Sequence, residues 1–372
     1  MIIAVIVVLL TLAVAFFNGA NDVSKAIATL VGAGVGRDRT AVAWGSLWTL
    51  AGALTAAWAA QGLVTAFSGK GILATAPTGE TFILAVSAGA LVWIWLATRT
   101  GLPVSTTHAI VGGLVGAGLM AAGPANIQWP FLLGKFALPL AVSPLLSLAL
   151  VFVIFPLARV GLRRCDGYCV CVQQPAPVAL VTNNGANFVA FSPATSPVAF
   201  GETADCARSP VTVAGIGVVD GLHWLSAGAT AFARGLNDAP KVLGLGVVAA
   251  TALQLPLAWA FALVALAMTV GSMLQGFRVV ETLARKVTPM EPLEGLAANF
   301  VTSILVIFAS KLALPVSTTH VSSGAIIGLG LRRDASKVRW KTVRDMMLAW
   351  VVTLPVAGVI AAGVLFLLQK LP

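Results

Sequence analysis

LPVSTTH stands at Leu102–His108 and returns without a change at Leu314–His320. A second matching pair lies upstream. NGANDVSKA at Asn18–Ala26 aligns with RGLNDAPKV at Arg234–Val242, sharing Gly19/Gly235, Asn21/Asn237, Asp22/Asp238 and Lys25/Lys241. The spacing is similar too: 84 residues from Asn21 to Ser105 and 80 from Asn237 to Ser317. The chain therefore reads as two similar halves, 1–164 and 210–372, joined by a polar, cysteine-bearing segment, 165–209. Such internal duplication decides an architecture before any single helix is assigned.

The composition places these halves in a bilayer. Of 372 residues, 58% are hydrophobic and 10% charged, which leaves too little polar surface for a soluble domain. Apolar runs of roughly 20 residues recur along the chain, the length needed to span a membrane. The first run, from Met1 to Phe17, has no basic start and no clear cleavage site, and reads as a retained helix. The net charge of +10 does not indicate nucleic-acid binding. The basic residues sit mainly at the ends of apolar runs, where they orient a membrane chain, and no basic patch is interleaved with aromatics.

The distribution of loop charge predicts how the halves are related. In the first half, the loop after the ND motif carries Arg37 and Arg39, and the loop after STTH, Met120–Gln128, carries no charge. In the second half this reverses. Gly244–Gln254 is uncharged, and Leu331–Arg344 carries six basic residues. An exchange of basic and neutral loops is expected of an inverted repeat. The expectation is an all-α polytopic protein of the cell membrane, with both termini outside and the central segment in the cytoplasm. That location argues against structural disulfides among Cys165, Cys169, Cys171 and Cys206; their spacing fits no standard zinc pattern, and their role stays open. Spanning helices are expected near 40–66, 80–98, 130–158, 211–232, 248–275, 292–310 and 345–369. The two ND and two STTH segments should be broken or re-entrant, since Pro103 and Pro315 end what precedes them and suit a new helix start.

An acid and a base inside a hydrophobic run are costly and imply a protected cavity. A helix beginning near Ser105 would aim free N–H groups and a positive dipole end at its entrance, with the hydroxyls of Ser105, Thr106 and Thr107 beside them. Ser317, Thr318 and Thr319 would do the same from the inverted half. Two facing helix starts would surround a small tetrahedral oxyanion with donors. Simple helix capping explains one such triplet, but less readily two identical ones. Asp22 and Asp238 would likewise cap short helices. The preceding Asn21 and Asn237 and the following Lys25 and Lys241 go beyond what a cap needs: amide and carboxylate oxygens suit a hard cation, and each Lys lies one turn from its Asp. His108 and His320 are candidate proton relays, or merely hydrogen-bonded helix residues. An intramembrane Ser/His hydrolase lacks a nucleophile elbow and a third triad member. An anion receptor is a further alternative, and the chain is not expected to be an enzyme.

GANDVSKA, LNDAPK and the two LPVSTTH copies together resemble the inorganic phosphate transporter (PiT) family, from about Ile2 to Leu368 and excluding the cysteine-bearing segment. The resemblance implies an inverted-repeat carrier that moves phosphate with Na⁺ or H⁺. It implies substrate binding by Ser105, Thr106, Thr107, Ser317, Thr318 and Thr319, and cation coupling by Asn21, Asp22, Asn237 and Asp238. Sodium-coupled relatives typically carry Asn where this chain has Lys25 and Lys241. A fixed ammonium there would stand in the place of Na⁺, which favours proton coupling, with Na⁺ as the alternative. A sulfate-carrying branch also exists, so phosphate or sulfate is the expected partner beside the lipid bilayer. No resident cofactor is expected, and homo-oligomerisation and metal binding are left open.

Overall fold

A bilayer core offers no partner for a backbone N–H or C=O, so the apolar runs satisfy their own as helices. A computed structural model describes every residue except 76–78, 174–177, 182–186, 191–197, 209–211 and 371–372. The first half comprises α1 (Ile2–Asp22), α2 (Ser24–Gly32), α3 (Asp38–Ala59), α4 (Gln61–Phe67), α5 (Glu80–Thr100), α6 (Thr106–Ala122), the short α7 (Trp129–Phe131) and α8 (Leu138–Leu162). A π-helical stretch, Leu132–Ala137, joins the last two. The connecting segment carries β1 (Tyr168–Gln173), β2 (Val178–Val181), β3 (Asn187–Ala190), β4 (Val198–Glu202) and α9 (Thr203–Arg208), and β5 (Thr212–Gly217), past the expected boundary at 209, joins the same sheet as β1 and β4. The second half comprises α10 (Val218–Ala252), α11 (Leu257–Gln275), α12 (Phe277–Arg285), α13 (Pro292–Lys311), α14 (Thr318–Asp334) and α15 (Trp340–Lys370). Among the described residues, six helical stretches are long and apolar enough to cross a membrane, or seven if α3 and α4 form one bent span.

Several expectations need correction. The helix expected over 40–66 breaks at Ala60, where α4 turns 85° from α3. The turn delivers Phe67 to the protein centre, where its ring lies 5.4 Å from Phe136 and 5.8 Å from the Lys241 ammonium. The helix expected over 211–232 starts at Val218 and runs unbroken through the second ND motif, although Pro240 lies inside it. Residue 211 itself lies outside the described residues. Neighbouring helices make such a proline tolerable in a membrane helix. The helix expected from 248 begins instead at Leu257, because α10 extends to Ala252. The first ND motif is interrupted only at Val23, whose backbone stays helical. Both STTH segments break as expected. After α5, Gly101 takes φ +74°, and after α13 the matching turn uses Ala313 at φ +51°. Left-handed backbone costs a non-glycine residue energy, so the surrounding packing holds Ala313 there.

The halves interlock reciprocally. α1 packs on α11 of the other half, and α10 packs on α3; α6 lies against α15, and α14 against α8. Small residues allow these approaches, the usual device where lipid is as apolar as leucine. A Cβ added at Gly19 would sit 1.9 Å from the Met268 carbonyl oxygen, and one at Gly271 would sit 1.9 Å from that of Phe16. Across the other contact, the corresponding distances are 2.0 Å from Gly52 to Phe232 and 2.3 Å from Gly235 to Thr49.

Charged residues at helix ends and in loops distant in sequence meet through specific contacts. Arg285 pairs with Asp38 at 3.0 Å, Arg339 donates to the Arg285 carbonyl at 2.9 Å, and Arg333 pairs with Glu291 at 2.8 Å and with Glu294 at 3.2 Å. In the connecting segment, β1 lies antiparallel between β4 and β5, and β2 pairs with β3. Contrary to the expectation of no structural disulfide, Cys169 and Cys206 are bonded across 37 residues. The β1–β4 register and the helix that follows β4 at once bring them together, a long-range juxtaposition that cysteine spacing does not reveal. The Cys171 Sγ lies 2.9 Å from that of Cys206.

Candidate functional site

Both LPVSTTH segments run extended from the end of one helix into the first turn of the next, and the ND motifs hold them there. The Asn21 amide donates to the Leu102 carbonyl at 2.9 Å and to the Thr98 hydroxyl at 3.3 Å, while the Val104 N–H donates to Asn21 Oδ1 at 3.2 Å. In the second half the Asn237 amide donates to the Val316 carbonyl at 3.3 Å, and Ser310 donates to Asn237 Oδ1 at 3.2 Å. Each asparagine thus supplies a donor to a carbonyl of an interrupted backbone, and Asn21 also supplies the acceptor for a backbone N–H.

Ser105 and Ser317 cap their helices, accepting from the N–H of His108 at 3.2 Å and His320 at 3.3 Å. For these two residues the capping explanation is realised. The threonines do something else. Thr319 donates to the Val104 carbonyl of the opposite motif at 2.7 Å, and Thr107 donates to the Val316 carbonyl at 3.3 Å. The two helix starts therefore meet, each tied to the extended segment of the other. The rings of His108 and His320 stand 4.8 Å apart just beyond them. His320 Nδ1 lies 2.9 Å from the Leu140 carbonyl, and its ring packs on Trp350 at 4.2 Å.

The lysines sit in oxygen cages. The Lys25 ammonium donates to Asp22 and, at 2.9 Å, to the Val104 carbonyl. The Lys241 ammonium donates to the Val316 carbonyl at 2.6 Å, the Thr107 hydroxyl at 2.9 Å and Asp238 at 3.4 Å. These ND and STT side chains are all at most 4% exposed, and His320 is 5% exposed; His108 is half-buried. Thr318 is buried at the start of α14. The structure thus brings every expected site residue into one region.

Two residues outside the expected site join it. Asn18 bridges the halves, donating to Thr106 at 2.9 Å, Asp22 at 3.2 Å and Asp238 at 3.4 Å. Arg234 is fully buried, with Nε 4.0 Å from Asp238 Oδ2. The two occupy equivalent positions in the repeat, four residues before each Asp. That i, i+4 spacing on a helix was the available signal.

The chain is similar to known proteins. A Pyrococcus abyssi protein provisionally named a phosphate permease is 30% identical over 396 residues, covering 95% of each chain. The Arabidopsis thaliana protein "Inorganic phosphate transporter 2-1, chloroplastic" is 31% identical over 421 residues, covering 95% of this chain and 70% of that one. A solved structure, "The sodium-dependent phosphate transporter", matches over 100% of both chains with a TM-score of 0.79 at 23% identity, which shows a common fold. Residues 18–361 match the family described as "Phosphate transporter family", a span that takes in both ND motifs, both STT motifs and the crossed helix starts, and the chain belongs to that family of transporters, not to a family of enzymes.

Proposed function

We propose that the chain imports inorganic phosphate across the cytoplasmic membrane together with protons. The observation that carries this reading is the mutual reach of the two STT motifs, through Thr107 to Val316 and Thr319 to Val104. It sets two helix N-termini and their hydroxyls around one place, a donor-rich environment suited to an oxyanion. Substrate binding is assigned to Ser105, Thr106, Thr107, Ser317, Thr318 and Thr319. The relatives named as phosphate permease and phosphate transporter support the choice of anion. Nearby carboxylates favour phosphate over sulfate. Asn18 links Thr106 to both Asp22 and Asp238; a carboxylate can accept a hydrogen bond from protonated phosphate, and sulfate at neutral pH has none to donate.

The lysines support proton coupling. Each ammonium already takes the carboxylate and carbonyl oxygens that a hard cation would recruit, in Lys25's case from Asp22 and Val104 and in Lys241's from Asp238 and Val316. The coupled proton then rides on an Asp or on the anion, with His108 and His320 as relay candidates. Charges at the helix ends and loops of 37–39, 285–294 and 333–339 fit a cytoplasmic face, with the halves inverted and both termini outside. Purified protein in liposomes, given an inward proton gradient in Na⁺-free buffer, should accumulate labelled phosphate in preference to sulfate. Accumulation of neither anion would overturn the reading, and preferential sulfate uptake would replace the substrate.

A further inference from the structure

We infer that Arg234 is the fixed counter-charge for the transported oxyanion, presenting its guanidinium fork to two of the anion's oxygens. The inference rests on the reading of this cluster as an oxyanion transport site.

Arg234 is 1% exposed, and none of its three guanidinium nitrogens has a hydrogen-bond partner among the described residues. Its nearest acidic contact, Asp238 Oδ2 at 4.0 Å, lies beyond hydrogen-bonding distance. Buried polar groups are nearly always paired, and exceptions call for an explanation. Arginine cannot escape by losing its proton. A buried guanidinium with five free donors therefore needs an acceptor, and the planar fork matches the edge of a tetrahedral oxyanion.

The charge inventory points the same way. Beside the His108–His320 pair, five ionisable groups share the centre: Lys25, Lys241 and Arg234 against Asp22 and Asp238. Each lysine is matched to the aspartate one turn before it, so Arg234 carries the surplus positive charge. A bound monoanion would bring the cluster to neutrality. The position is also right. Asp238 Oδ2, beside Arg234, is the atom that Asn18 reaches, and the same Asn18 amide donates to Thr106 at the first helix start. The first half has the neutral Asn18 at the equivalent position, so the charge is supplied once, from α10.

Wild-type, Arg234→Gln and Arg234→Lys proteins are compared by the rise in melting temperature on adding inorganic phosphate and by the phosphate dependence of uptake in liposomes. Losing two charge-assisted hydrogen bonds should raise the KM of Arg234→Gln about 100-fold and weaken phosphate-induced stabilisation in step. Vmax should change far less, a split that a purely structural role would not produce. Arg234→Lys keeps the charge without the fork and should lose about 10-fold. Wild-type phosphate affinity in Arg234→Gln overturns the inference while leaving phosphate transport intact. If Arg234→Gln does not fold, wild-type affinity in Arg234→Lys overturns it. If neither folds, Arg234 is a structural residue and the inference fails. A wild-type protein that accumulates neither phosphate nor sulfate and is stabilised by neither overturns the transport reading itself.

Discussion

Replacing Lys25 and Lys241 together by asparagine tests the coupling ion. The substitution changes the formal charge of the central cluster from +1 to −1 if both aspartates stay ionised. Without Lys25, Asp22 keeps the Asn18 amide at 3.2 Å. Asp238 keeps Asn237 at 3.1 Å, Asn18 at 3.4 Å and the nearby Arg234. The larger effect should therefore come from Lys25, for which the expected cost is about 3–5 kcal/mol, the range for breaking one partner out of a buried ion pair. The Val104 carbonyl adds little to that cost, because Thr319 still donates to it at 2.7 Å. Two routes relieve the stranded carboxylate: it takes a proton, or it binds a metal cation in the vacated oxygen cage. Sodium at 100 times its dissociation constant would return about 2.7 kcal/mol. The assay is thermal unfolding in sodium chloride against choline chloride, paired with phosphate uptake driven by a proton or a sodium gradient. The wild type should melt alike in both salts. The double variant should melt several degrees lower in choline, recover partly in sodium, and show reduced proton-driven uptake or a new dependence on Na⁺. Wild-type uptake that requires Na⁺ would refute the reasoning. So would a double variant that folds, loses phosphate binding and ignores Na⁺, because the ammonium groups would then be serving the anion directly.

Other outcomes follow from single contacts. Gly19→Ala and Gly271→Ala should each destabilise the α1–α11 contact by about 1–3 kcal/mol by overpacking, whereas Gly363→Ala, with no atom within 4 Å of the added Cβ, should not; equal melting temperatures would contradict the close approach. Thr319→Val should lower stability by about 1 kcal/mol by removing its bond to the Val104 carbonyl and should reduce phosphate uptake, while an unchanged transport rate would separate the crossing from function. Cys165, which carries a free, partly exposed thiol, should react with a membrane-impermeant reagent only after permeabilisation; labelling in intact cells would reverse the orientation.

Much of this protein was legible along the chain because duplication and hydropathy are local records. LPVSTTH and the ND motifs marked the repeat and every residue of the expected site, and apolar run length marked most of the spans. The breaks before both STTH helices also followed from local chemistry, since proline starts a helix more readily than it continues one. Where the chain bends inside a span was not recorded locally. Ala60 breaks its helix without a proline or glycine at the break, whereas Pro240 does not break its own. Neighbours packed from the other half decide such cases. The crossing of the threonines joins residues 209 and 215 positions apart, and the disulfide depends on a strand register. Arg234 is the sharpest case. In sequence it is one basic residue near an Asp that it could have neutralised; only the tertiary structure surrounds it with groups whose charges are already matched. Local sequence can specify propensity and pattern, but whether a buried charge has a partner depends on every chain segment that folds against it.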